Sequence, residues 1–272
     1  MLNPRFVIRV QTVNLRVEIW VNEIPVSFLG RNEARSPVAI PINQFLLKGR
    51  NLIQVLLHAG PVPSRASEPW SRDKEATGYL GPASLSLSLA KEVAGQDPSS
   101  RDAYPLVTLD WQGAADTHPS VLERACTLNE RAGPWAWESA ARFASVDAEV
   151  RGEVRDYLEY LHRLLTAREF EAFVAESAPK LEELTELAYG VPAESMRRGM
   201  LQALEDHSVE PYRLQPLDWS EVDLRLVAGG RMIDCLRKNR RNVLEYVEPK
   251  DQDVFFLPTM VGKIGAQWKI LR

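Results

Sequence analysis

Four histidines, two cysteines and a run of glutamates are the residues of this 272-residue chain with the chemistry to do something. His58, His118, His162 and His207 are scattered, and none stands at metal-ligand spacing from another histidine or a cysteine. Cys126 and Cys235 lie far apart with no CxxC, which predicts reduced thiols, no disulfide framework and no structural zinc. No GxSxG, HExxH, Walker A or GxGxxG occurs. Tyr157 and His162 are five apart, about 140° around a helix, so they do not share a face. Asp234, inside Met-Ile-Asp-Cys-Leu, is expected on the solvent side of a half-exposed hairpin. Asp206-His207 falls at a helix end, where the imidazole suits the C-terminal carbonyls. No catalytic constellation, cofactor site or metal site is expected.

Charge says more. Between Asp147 and Glu210 there are fifteen Asp/Glu against seven Lys/Arg, densest at Glu176, Glu182, Glu183 and Glu186. Arg231, Arg237, Lys238, Arg240 and Arg241 form an opposing basic run. The plain reading is a solvated face with i,i+4 pairs. The functional one is an acidic surface that steers and holds a basic protein, for which these four glutamates are the candidate binding residues. The net charge of −4 argues against a general nucleic-acid binder. No run reaches the roughly 18–20 apolar residues of a membrane helix, and Met1–Val10 reads as a strand and not a leader. A cytoplasmic, soluble protein is expected.

The elements that would position these residues fall into two halves. In the first, Leu15–Val21 alternates, with Leu15, Val17, Ile19 and Val21 on one face and Arg16, Glu18 and Trp20 on the other, as a half-buried strand requires. Asn22-Glu23 turns into Ile24–Leu29. Residues 41–57 read as a strand over Ile42–Leu47, a Lys48-Gly-Arg-Asn51 turn with positive φ at Gly49, and a buried strand over Leu52–Leu57. Residues 59–81 read as a long loop pinned by Trp70. Ser84–Leu89 and Tyr104–Trp111 add strands, giving the seven or eight of a β-sandwich. Gln112–Pro119 is Gly/Ala/Asp-rich, which places a domain boundary there; Val121–Thr127 is a candidate crossing strand, and Trp135 and Trp137 are expected in packing.

In the second half the periodicity predicts a helix over 147–167 capped by Ser145 or Asp147, and shorter ones over 169–176, from Pro179 to Gly190, and from Pro192. Strands follow, with a hairpin whose Ala228-Gly-Gly230 turn tolerates positive φ. The expectation is an α+β chain: an N-terminal antiparallel β-sandwich (1–112), an interdomain segment (113–146), and a helical segment followed by a curved antiparallel sheet (147–272).

Three resemblances bear on this. VEIWVNEIPV (17–26) and PINQFLLKGRNLIQVLL (41–57) resemble β-sandwich accessory modules of galactose-binding or jelly-roll outline, which implies that fold and, with an exposed aromatic platform, carbohydrate binding; Trp20 is the residue to inspect. Helices followed by a meander ending in Gly265, Trp268 and Ile270 resemble the NTF2-like α+β roll, which sometimes encloses a small-ligand or catalytic pocket with an acid, a tyrosine or a histidine; that resemblance makes Tyr157, His162 and Asp234 the candidates here. The layout as a whole, with 17–26, 41–57 and 253–272, resembles immunity proteins encoded beside type VI secretion effectors. That resemblance implies an inhibitor that binds its cognate toxin, a nuclease, with no turnover of its own.

Overall fold

The computed structural model describes residues 5–30, 33–58, 82–92, 105–114, 120–130, 133–184, 192–239, 241–251, 253–257 and 259–272. The expected loop at 59–81 with Trp70, His118, Glu186, the helix end at Gly190 and Arg240 lie outside these residues. The described residues up to Pro134 form one compact unit and those from Trp135 a second.

The first unit holds β1 (Arg5–Val13), β2 (Arg16–Val21), β3 (Ile24–Leu29), β4 (Val38–Pro41), β5 (Gly49–His58), β6 (Pro82–Glu92), β7 (Pro105–Ala114) and β8 (Ser120–Leu128). They make two four-stranded antiparallel sheets, ordered β4-β1-β6-β7 and β3-β2-β5-β8, a sandwich-like arrangement. Register puts Ile8 against Leu89 and Val10 against Leu87 in one sheet, and Ile19 against Val55 in the other; all six are buried. The alternation expected of β2 is not a burial pattern: Glu18 and Trp20 are buried too. The β2–β3 turn carries positive φ at both Asn22 (52°) and Glu23 (63°), the geometry that suits a right-twisted two-residue hairpin.

The segment 41–57 departs from expectation in its first part. Asn43–Phe45 is a single 3₁₀ turn and not a strand, because Asn43 uses its side chain to accept Phe6 N–H (2.6 Å) and its carbonyl to accept Leu46 N–H. Gly49 takes the expected positive φ, +95°. The expected boundary moves as well. The stretch 113–146 is not an interdomain segment: β8 lies within it and pairs with β5 from Gly49↔Leu128 to Leu57↔Ser120. The polar stretch before β8 joins strands of one unit.

The second unit begins with α1 (Ala136–Ser139), then α2 (Ala148–Thr166), α3 (Phe170–Glu176), α4 (Ala178–Glu183) and α5 (Ala193–His207). The α2 apolar stripe of Val150, Val154, Tyr157, Leu158, Leu161, Leu164 and Leu165 is buried, and Asp147 caps the helix by accepting Val150 N–H at 2.9 Å. Such a cap contributes about 1 kcal/mol. The strands after the helices are β9 (Arg213–Leu214), β10 (Val222–Val227), β11 (Met232–Arg237), β12 (Leu244–Val247), β13 (Val254–Leu257), β14 (Met260–Ile264) and β15 (Gln267–Ile270). They form two antiparallel sheets, β10-β11-β14-β15 and β13-β12-β9. The chain is thus strand-rich α+β. The β10–β11 turn has the expected positive φ at Gly229 and Gly230. At Gly230 a Cβ would also sit 2.3 Å from Phe143 O, whose N–H donates to Gly230 O.

Candidate functional site

The four glutamates do not form one surface. Glu176 is mostly covered. It accepts Tyr157 Oη at 3.0 Å and Lys269 Nζ at 3.0 Å, tying α3 to α2 and β15. Burial, and then the Glu176 carboxylate, push the Tyr157 phenol far above its ordinary value. Glu183 is buried. It accepts Arg272 Nη1 at 2.8 Å and the Ala136 amide, and burial raises its carboxyl against the pull of Arg272. Its place in the buried row of α4 excludes it from an exposed patch. Glu182, one residue on, is exposed.

Glu182 lies on the rim of a groove of about 120 Å³ between α3, α4 and α5. Val174, Ala178 and Leu181 give it an apolar floor, and Glu194 and Arg197 complete its edge. Arg197 pairs with Glu171 and stands 3.8 Å from Glu194. Among the described residues, carboxylates therefore outnumber Arg197 at this rim. Sequence reasoning found Glu182 by local density and missed Glu171 and Glu194, which only the packing of α3 on α5 brings near it.

Three members of the basic run, Arg231, Arg237 and Arg241, are committed internally. Arg231 donates to Ala140 O at 2.9 Å, Arg237 to Pro216 O at 3.0 Å and Arg241 pairs with the buried Glu245 at 3.0 Å. Asp234 is not on a solvent face: it is 2% exposed and pairs with Arg225 at 3.2 Å. Trp20, 4% exposed, offers no sugar platform. Trp135 and Trp137 are core residues, with the Arg272 guanidinium 5.4 Å over the Trp135 ring. Cys126 and Cys235 are free thiols, and burial pushes both up.

Tyr157 and His162 point into different surroundings, as their spacing requires. His162 lines a second, larger cleft of about 390 Å³ with Arg168, Ser208, Tyr212, Leu214 and Tyr246. Its Nε2 lies 3.1 Å from Gln215 O. His207 does serve the end of α5, with Nδ1 2.7 Å from Ala203 O, and its ring stacks on Phe255 at 4.2 Å.

Near the Glu183–Arg272 pair, half-buried Lys180 is pushed down to about 8, first by burial and then by Arg272. Its folded value lies below that of an unfolded lysine, so the fold disfavours the charged form. The resulting penalty is complete below pH about 8 and fades as pH rises towards about 10.4. Lys180→Met should therefore stabilise the protein at pH 7 by about 1 kcal/mol, discounted for the water the ammonium keeps. Urea unfolding of both forms from pH 7 to 10.5 checks this; a gain that grows with pH contradicts it.

Among the described residues no group of three His, Cys, Asp or Glu could hold a metal ion, and no helix is long and apolar enough to cross a membrane. No family model, curated protein or solved structure matches the chain.

Proposed function

We propose that this protein is an immunity-type inhibitor that acts in the cytoplasm by occupying a basic protein toxin, a type VI secretion nuclease effector, without turnover of its own. The observation that carries the reading is the groove at α3, α4 and α5: an apolar floor under Glu182 and Glu194, with Glu171 beside them. A nuclease must present cations to hold phosphates, and acidic surfaces attract such patches and speed encounter. A lysine or arginine of that partner would lay its methylene stem on Val174 and Leu181 and place its head between the two carboxylates.

The test is co-expression of the chain with the product of the neighbouring gene, scored by growth, and titration calorimetry of the purified pair. Complex formation with rescue is expected. Glu182→Lys combined with Glu194→Lys should weaken binding by about 10–100-fold and flatten its salt dependence. Unchanged affinity removes the groove from the interface; no binding by the unaltered chain overturns the reading as a whole.

A further inference from the structure

The cleft around His162 lies at the opposite end of α5 from the groove: Ala193 and Glu194 belong to the groove, Ser208 to the cleft. We infer that it is a binding site for a small organic carboxylate with a flat apolar body, held by Arg168.

Three observations converge on Arg168. It follows the end of α2 with φ of +58°. Its N–H donates to Leu165 O at 3.2 Å, and Glu169 N–H donates to Leu164 O at 2.8 Å. This is the left-handed cap in which glycine is the residue without steric penalty. An arginine there strains the backbone, and strain of this kind collects at binding sites. Arg168 is exposed and lines the cleft; among the described residues no carboxylate pairs with it, and its guanidinium stands 5.8 Å over the Phe170 ring.

The walls of the cleft suit a flat apolar body, and its cation is Arg168, set against the Asp253 carboxylate that holds Tyr212. Leu165, Leu214 and the Tyr246 ring wall the cleft, and about 390 Å³ falls in the range of small-molecule pockets. The carbonyls at the end of α2 would repel an anion if left open. Glu169 N–H covers Leu164 O; Arg168 N–H and Tyr246 Oη, the latter at 3.5 Å, cover Leu165 O. The hydroxyl protons nearby are engaged too: Thr166 donates to His162 O at 2.8 Å, Ser208 to Glu205 O at 3.0 Å and Tyr212 to Asp253 Oδ2 at 2.5 Å. Arg168 is left as the strong donor, and a planar fork matches a carboxylate.

Benzoate, benzamide and benzamidine share a shape and differ in charge, so they probe the site directly. Benzoate should give saturable amide shifts at His162, Arg168 and Tyr246 and raise the melting temperature. Benzamide should bind at least about tenfold more weakly, and benzamidine and inorganic phosphate should leave those amides unmoved. Arg168→Gly should abolish the benzoate response while the ligand-free melting temperature holds or rises, because glycine relieves the positive φ. Arg168→Gln, which keeps a side chain but not the charge, should also lose benzoate. Equal binding of benzamide or benzamidine, retained binding by either variant, or a lower melting temperature in Arg168→Gly would overturn the assignment. The last result would show that the arginine is kept for its stack on Phe170. None of these outcomes depends on toxin binding at the groove.

Discussion

Asp234→Ala should destabilise the second unit by about 3–5 kcal/mol, among the largest effects of any single substitution in the chain. Asp234 and Arg225 face each other in register across β10 and β11, 3.2 Å apart, with side chains 3% and 7% exposed. Truncating the acid leaves a buried guanidinium without this carboxylate, which had offset much of the cost of desolvating it. Replacing both residues by apolar ones, Arg225→Met with Asp234→Leu, should recover most of the loss, since the pair's attraction roughly offsets its desolvation. The urea midpoint and hydrogen exchange of the β11 amides measure both variants. A double variant as unstable as the single one would mean that the acid matters for something other than its partner.

The same pair shows where sequence reasoning stops. The alternation of Val222-Asp-Leu-Arg-Leu-Val227 and the Gly229-Gly230 turn identify the hairpin, and the structure has it. Alternation does not reveal whether the second face of a strand meets water. Asp234 therefore reads as exposed when it is buried, and Trp20 and Glu18 on β2 read the same way for the same reason. Helix periodicity fares better. The α2 stripe and its Asp147 cap are local features, set by spacing along one element, so both were legible. The candidate interface mixes the two cases. Glu182 and Glu183 are adjacent in sequence, yet a turn of about 100° separates exposed rim from buried core. Arg168 was invisible for a related reason: nothing in Thr-Ala-Arg-Glu-Phe marks a left-handed cap, because the residue that would mark it, glycine, is absent.

The run 41–57 is legible at a different level, through its asparagines. Asn51 is fully buried and makes four hydrogen bonds with its side chain. Its Oδ1 accepts Leu47 N–H at 2.7 Å and Asn22 Nδ2 at 2.8 Å. Its Nδ2 donates to Leu47 O at 2.8 Å and Gly49 O at 3.0 Å. Asn22, in turn, donates to Phe45 O and accepts Leu52 N–H. The two amides together thus fix the Gly49 turn, the 3₁₀ turn before it and the β2–β3 hairpin beside it, which gives a physical reason for an Asn at this point of such a run. Asn51→Ala should cost about 3 kcal/mol, because it leaves the part-buried Leu47 amide and the Leu47 and Gly49 carbonyls without their side-chain partner. Asn51→Asp should cost at least as much, although it keeps both acceptor contacts, since its carboxylate would face the Leu47 and Gly49 carbonyls with no proton to give them. Urea unfolding followed through the first unit checks the pair. If Asn51→Asp is milder than Asn51→Ala, the two donor bonds contribute little, and the turn is held by Oδ1 alone.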